Sequence, residues 1–106
     1  MLAHGENVPI PSNTTTVIVP DLDVSADREI RLWIKGDFPN CAPAFVTVLA
    51  IPPAGTATYL VDDFGACSGI NQAIYEVVGM TVRIEVTNEG SSNDGTVSFF
   101  LAGRSN

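Results

Sequence analysis

The chain has 106 residues, enough for one hydrophobic core but not two, and its 45% hydrophobic and 16% charged content is that of a folded globular domain rather than a disordered chain. Twelve acids against five bases give a formal charge of -7, so the phosphates of nucleic acid and anionic membrane surfaces repel it, and neither is expected as a partner. No run approaches the roughly 20 apolar residues that span a bilayer, so no membrane insertion is expected, and the first residues lack the basic flank and apolar run of a signal peptide.

Residues 1–13 read as an extended N-terminal arm or edge strand, and residues 14–106 as a single β-sandwich domain. In Glu6-Asn7-Val8-Pro9-Ile10-Pro11, two prolines flank a β-branched residue. That forces an extended chain and forbids the middle of a sheet. Leu2, Val8 and Ile10 are too few to build structure alone but enough to pack along an exposed sheet edge. They are expected to form an assembly arm whose removal leaves a folded domain.

Thr14 to Val19 is a β-branched run and reads as a strand. Beyond it Asp21, Asp23, Ser25, Asp27 and Glu29 alternate with non-ligands, the oxygen spacing that calcium loops use. Ala26 and Leu32 stand where an EF-hand loop needs glycine and a distal glutamate, and a strand end turning its polar face to water gives the same alternation. Calcium at Asp21, Asp23, Ser25 and Asp27 is the one cofactor the chain suggests; otherwise none is expected.

Glu29 to Lys35 alternates with period two, Ile30, Leu32 and Ile34 on one face and Arg31, Trp33 and Lys35 on the other. Trp33 is therefore an exposed aromatic, or core if both sheet faces are covered. After the turn Gly36-Asp37-Phe38-Pro39-Asn40 come Cys41 and a strand from Phe45 to Ile51; after Pro52-Pro53-Ala54-Gly55 comes a strand from Thr58 to Val61. Asp62 and Asp63 read as a solvated turn. Cys41 and Cys67, 26 residues apart in loop settings, suit a disulfide contributing roughly 3 kcal/mol. Past the Ser68-Gly69 turn, strands are expected over Ala73 to Val78, Thr81 to Thr87 and Val97 to Ala102, with a turn cluster from Asn88 through Gly95. No window of helical length has a 3.6 period. With the edge strand this makes about seven to eight short antiparallel strands: an all-β fold, a β-sandwich of jelly-roll or Greek-key type.

The chain also resembles itself. Ile30-Arg31-Leu32-Trp33-Ile34 aligns with Val82-Arg83-Ile84-Glu85-Val86 at an offset of 52, the same offset places Phe45 on Val97, and Thr16 to Pro20 parallels Ala73 to Val77 across an insertion. Two similar Greek-key halves would produce this.

Catalysis finds little support. His4, the single histidine, lies in the N-terminal segment read as extended and has no evident catalytic partner. No glycine-rich phosphate loop opens a helix, and a pair of carboxylates can always be found among twelve acids. No enzyme is expected. The expected role is a structural or surface-display module that self-associates into a homo-oligomer through its arm and sheet edges, in a virion, on a spore or cell surface, or in an extracellular assembly. The alternative is a carbohydrate-binding module that takes a glycan on exposed aromatic residues, with Trp33, Tyr59 and Tyr75 as the stacking candidates.

Overall fold

Period-two sequence becomes period-two burial along the central strands. The computed structural model describes residues 1–39, 43–53, 57–66, 68–77, 80–90 and 93–105. They form eight strands: β1 (Ala3–Ile10), β2 (Thr14–Asp23), β3 (Glu29–Asp37), β4 (Ala44–Ile51), β5 (Tyr59–Gly65), β6 (Ser68–Glu76), β7 (Thr81–Asn88) and β8 (Gly95–Arg104). In β3, Ile30, Leu32 and Ile34 are buried while Arg31 and Trp33 are half-buried and Lys35 is exposed. In β7, Val82, Ile84 and Val86 are buried between half-buried neighbours. None of the described residues forms a helix long and apolar enough to cross a membrane.

The strands make two four-stranded sheets, ordered β1-β8-β3-β6 and β2-β7-β4-β5, with every pair antiparallel. The chain changes sheet at every connection except the β4 to β5 hairpin. This is the jelly roll, a sandwich whose two sheets present their inner faces to one another. Between them lie Ile10, Val19, Ile30, Leu32, Ile34, Val46, Val48, Val82, Ile84, Val86, Val97 and Leu101, all essentially inaccessible to water. Two backbone approaches demand glycine. A Cβ on Gly95 would lie 2.1 Å from the Phe38 ring, and one on Gly36 would lie 2.0 Å from the Ala66 carbonyl oxygen.

Four elements refine or depart from the sequence expectation. Of the two forms expected for the N-terminal segment, residues 3–10 take the edge strand and not the free arm: β1 pairs with β8 of its own chain, Ile10 is wholly buried, and Leu2 and Val8 pack against the core. The prolines are tolerated because β1 is an edge, and a bulge between Gly5 and Val8, with Asn7 at φ 50, absorbs the irregular sequence. The apolar residues assigned to a neighbouring subunit are thus used within the molecule.

β2 continues past Val19 to Asp23, carrying Pro20 on the open side of an edge strand and two register shifts. β5 continues through Asp62 and Asp63 to Gly65, and β6 begins at Ser68, so the acidic pair lies in a strand and not in a turn. Edge strands need only one paired side, which lets polar sequence with turn-like composition adopt extended structure. The disulfide expected between Cys41 and Cys67 lies outside the described residues.

Candidate functional site

The outward face of the β1-β8-β3-β6 sheet is built by the side chains that alternate away from the core. Strand register sets His4, Phe100, Trp33 and Gln72 side by side in one row across all four strands. The row on one side aligns Ser98, Lys35 and Ile70, and the row on the other aligns Ala102, Arg31 and Ile74. Phe100 meets Trp33 edge-on, ring centroids 5.5 Å apart at 63°, the arrangement in which a positive ring edge meets a negative ring face. The Arg31 guanidinium lies 5.6 Å from the Trp33 centroid and adds a cation–π attraction on the same face.

Around this aromatic pair the surface opens into a shallow hollow of about 420 Å³, bordered by Met1, His4, Glu6, Lys35, Ile70 and Ser98. Phe100 is 40% exposed and Ile70 74% exposed, so the centre and one border of the face are apolar surface in contact with water. The rim carries both charges and neutral hydrogen-bonding groups. An apolar centre with a polar rim is the general form of a ligand-binding surface.

The sequence-derived candidates are not gathered at one place. Trp33 is in the centre of this face. Tyr59 lies at the start of β5, on an edge of the other sheet, 59% exposed. Tyr75 is half-buried on β6 against the core, and its hydroxyl donates a 2.6 Å hydrogen bond to Asp62 Oδ2 on β5. That bond joins the edge strands of the two sheets, and burial first, then the Asp62 carboxylate, pushes the phenol well above its ordinary pKa. Tyr75 is therefore committed to holding the sheets together.

Of the four candidate calcium ligands, Asp21 is paired with an arginine, Asp23 and Ser25 bond one another, and Asp27 lies against another strand. Asp21 accepts from Arg83 Nε at 2.8 Å and Nη2 at 3.2 Å, and that hydrogen-bonded guanidinium holds its carboxyl below the usual carboxylate range. Asp23 Oδ1 accepts the Ser25 backbone N–H at 2.8 Å; hydrogen bonds from Ser25, the side chain's foremost, lower the Asp23 pKa. Asp27 stands against Gly103 of β8. Among the described residues no three histidine, cysteine, aspartate or glutamate side chains converge as a metal site. Asp21 and Asp23 close the edge strand β2 exposed to water, and Asp27, beyond it, is half-buried.

Phe100, Gln72, Ile70 and Glu6 enter the site without having been singled out in the sequence, and His4, weighed there only for catalysis, joins them. The signal for Phe100 was its place in Val97-Ser98-Phe99-Phe100-Leu101: period two sends Phe99 inward, 8% exposed, and Phe100 outward. For Ile70 and Gln72 the signal was hidden by reading Ser68-Gly69 as a turn. His4, Glu6 and Ser98 all border the hollow, yet no hydrogen bond joins His4 to either. Ser98 Oγ instead accepts the Asn7 backbone N–H at 3.0 Å, which secures the β1 bulge.

No family model and no curated protein matches the sequence. Solved structures share its fold. PirA superposes with a TM-score of 0.68 at 10% identity, over 92% of this chain and 92% of that one. The mitogen of Yersinia pseudotuberculosis gives 0.64 at 11% identity, over 93% and 86%. The Clostridium thermocellum xylanase 10B modules CBM22-1 and GH10, solved with xylohexaose, give 0.54 at 7% identity, over 98% of this chain and 26% of that one. At such identities the likeness establishes the β-sandwich fold.

Proposed function

We propose that the protein is a non-catalytic recognition module that binds a glycan chain on the outward face of the β1-β8-β3-β6 sheet. The observation that carries this reading is the Trp33 and Phe100 pair, set in the middle strands of a sheet whose inner face is already filled by the core. An aromatic pair on an outward sheet face adds nothing to the core. It offers ring surface to the C–H face of a sugar, while Lys35 and Glu6 at the border of the hollow, Gln72 beside Trp33 in register and Arg31 over its ring are the polar groups that would meet the hydroxyls. The site is open and shallow, which suits an extended chain lying across the strands better than a small molecule needing enclosure. Among the described residues no acid or nucleophile is hydrogen-bonded to His4, and in this reading the rim supplies binding groups.

Affinity electrophoresis against a panel of soluble polysaccharides tests this. Xylan is the first probe, because the Clostridium thermocellum xylanase 10B structure, 26% of which superposes on this chain, was solved with xylohexaose. At least one polysaccharide should retard the protein, and Trp33→Ala, checked for folding by circular dichroism, should weaken binding about tenfold, the loss of one stacking contact. Retardation that Trp33→Ala leaves unchanged would move the site elsewhere, and no retardation by any glycan would refute the reading.

A further inference from the structure

The two sheets have four outer edges, and three are guarded against pairing with another chain. β1 carries a bulge between Gly5 and Val8, Pro9, and the ionisable pair His4 and Glu6. β2 carries two register shifts, Pro20, Asp21 and Asp23. β5 has a register shift opposite Val48 and Leu49, and it sends Asp62 inward toward Tyr75. Bulges, prolines and inward charges are how sheets prevent edge-to-edge association.

β6 has none of these. It pairs with β3 over nine consecutive residues with no shift, and from Ser68 to Tyr75 it contains no charge and no proline. Its outward residues Ile70 and Ile74 are 74% and 49% exposed. From Ile70 to Tyr75, past Gly69 at φ 87, the edge is neutral and unshifted, and its two exposed isoleucines invite a partner strand.

The strand is also complementary to itself. Two copies of β6 placed antiparallel about a two-fold axis through Gln72 set Ile70 of one opposite Ile74 of the other and Gln72 opposite Gln72, and oppose no two like charges. Apolar and neutral pairs of this kind stabilise neighbouring strands, whereas like charges directly opposite destabilise them. On β5, by contrast, antiparallel self-pairing through the centre of the strand would set Asp62 of one copy opposite Asp62 of the other.

We infer that the free edge of β6 pairs with β6 of a second copy, joining two β1-β8-β3-β6 sheets into one eight-stranded sheet with a two-fold axis at Gln72. Because Gln72 is the register partner of Trp33, the axis places both aromatic pairs in a single row. The two Trp33 strands are then separated by three inter-strand spacings, about 14 Å. The contact stands on the strand alone and holds whether or not that face binds a glycan.

Sedimentation velocity over a range of concentrations reads the association. The protein should be a reversible dimer. Gln72→Lys and Gln72→Glu should each raise the dimer dissociation constant at least about tenfold, since each sets like charges against one another on the axis. Mixing the two variants should restore a dimer, because lysine then faces glutamate, whereas Val17→Lys on the β2 edge should leave dimerisation unchanged. A protein monomeric at the highest concentration would overturn the inference, as would a Gln72→Lys dimer of undiminished affinity or a failure of the mixed variants to associate.

Discussion

Asn88 shows how one side chain closes this fold. It ends β7 and is the one polar residue among the described core positions, with no exposure to water. Its Nδ2 donates to the Ile10 carbonyl at 3.1 Å and to the Asn93 carbonyl at 2.9 Å, and its Oδ1 accepts the Gly90 N–H at 2.8 Å. One amide thus ties the end of β1 to the turn before β8. Asn88→Leu should cost about 3 kcal/mol in chemical denaturation, because the freed backbone groups lose their partners in a site closed to water. Tyr75 permits a test by pH. Its folded pKa is raised above the ordinary 10.0, so its contribution is fully present below pH 10 and is lost as pH rises toward the folded value, where the unfolded chain releases the proton first. The stability of the wild type should therefore fall more steeply above pH 10 than that of Tyr75→Phe, measured by urea denaturation at matched pH. Both residues were opaque in the sequence: Asn88 looked like the first residue of a turn, and Tyr75 like a surface ring, because the partners that bury them lie 78 and 13 residues away.

At the scale of elements, the seven strands expected from Thr14 onward are all present, and the residues that decided them are those with alternating aliphatic side chains. Ile30, Leu32 and Ile34, and Val82, Ile84 and Val86, face inward as their spacing required. What alternation does not encode is the length of edge strands: Asp21 to Asp23, Asp62 to Gly65 and Ser68 to Gln72 extend their strands through pairing with partners that have the stronger pattern. The internal repeat has a counterpart in the topology. Replacing each of β1 to β4 by the strand four later, and the converse, turns the order β1-β8-β3-β6 into β5-β4-β7-β2, which is the other sheet read backwards. The matched segments fall on β3 and β7, β2 and β6, and β4 and β8, as this exchange requires. Between β3 and β7 the burial phase is also conserved, but Phe45 is half-buried where Val97 is buried, so the ungapped match slips by one residue there. Ile30 and Val82 are both fully buried in central strands, and truncating either to alanine should destabilise by a similar amount, about 3 kcal/mol, in equilibrium unfolding. Gly95 could not have been assigned its role from sequence, since only the folded chain brings the Phe38 ring against it.

For the whole molecule, the fate of the N-terminal segment separates an arm from a structural strand. Residues 1–11 hold one quarter of a sheet, including the wholly buried Ile10, and cover the edge of β8. Deleting them should abolish the cooperative thermal transition, or lower it by well over 10 °C, since a lost core isoleucine alone costs about 2–5 kcal/mol and about 4–8 °C follows from each kcal/mol in a domain of this size. A truncated chain that melted like the full one would return the segment to the status of a detachable arm. The same strand carries His4 and Glu6 to the rim of the proposed glycan face, so the sandwich and that face are completed together. That face was legible in the sequence only through Trp33, Arg31 and Lys35, which share one strand; Phe100, Gln72 and Ile70 join them through register, which no local pattern records.

Trp33 is the single tryptophan of the chain, so its emission reports on the proposed site without labelling. Titration with xylohexaose and a set of other neutral oligosaccharides should give a saturable change in tryptophan fluorescence for at least one of them, and Phe100→Ala should weaken that binding about tenfold while leaving the fold intact. Saturable glycan binding that leaves Trp33 emission unchanged and is indifferent to Phe100→Ala, or the absence of any saturable response across the set, would contradict the account.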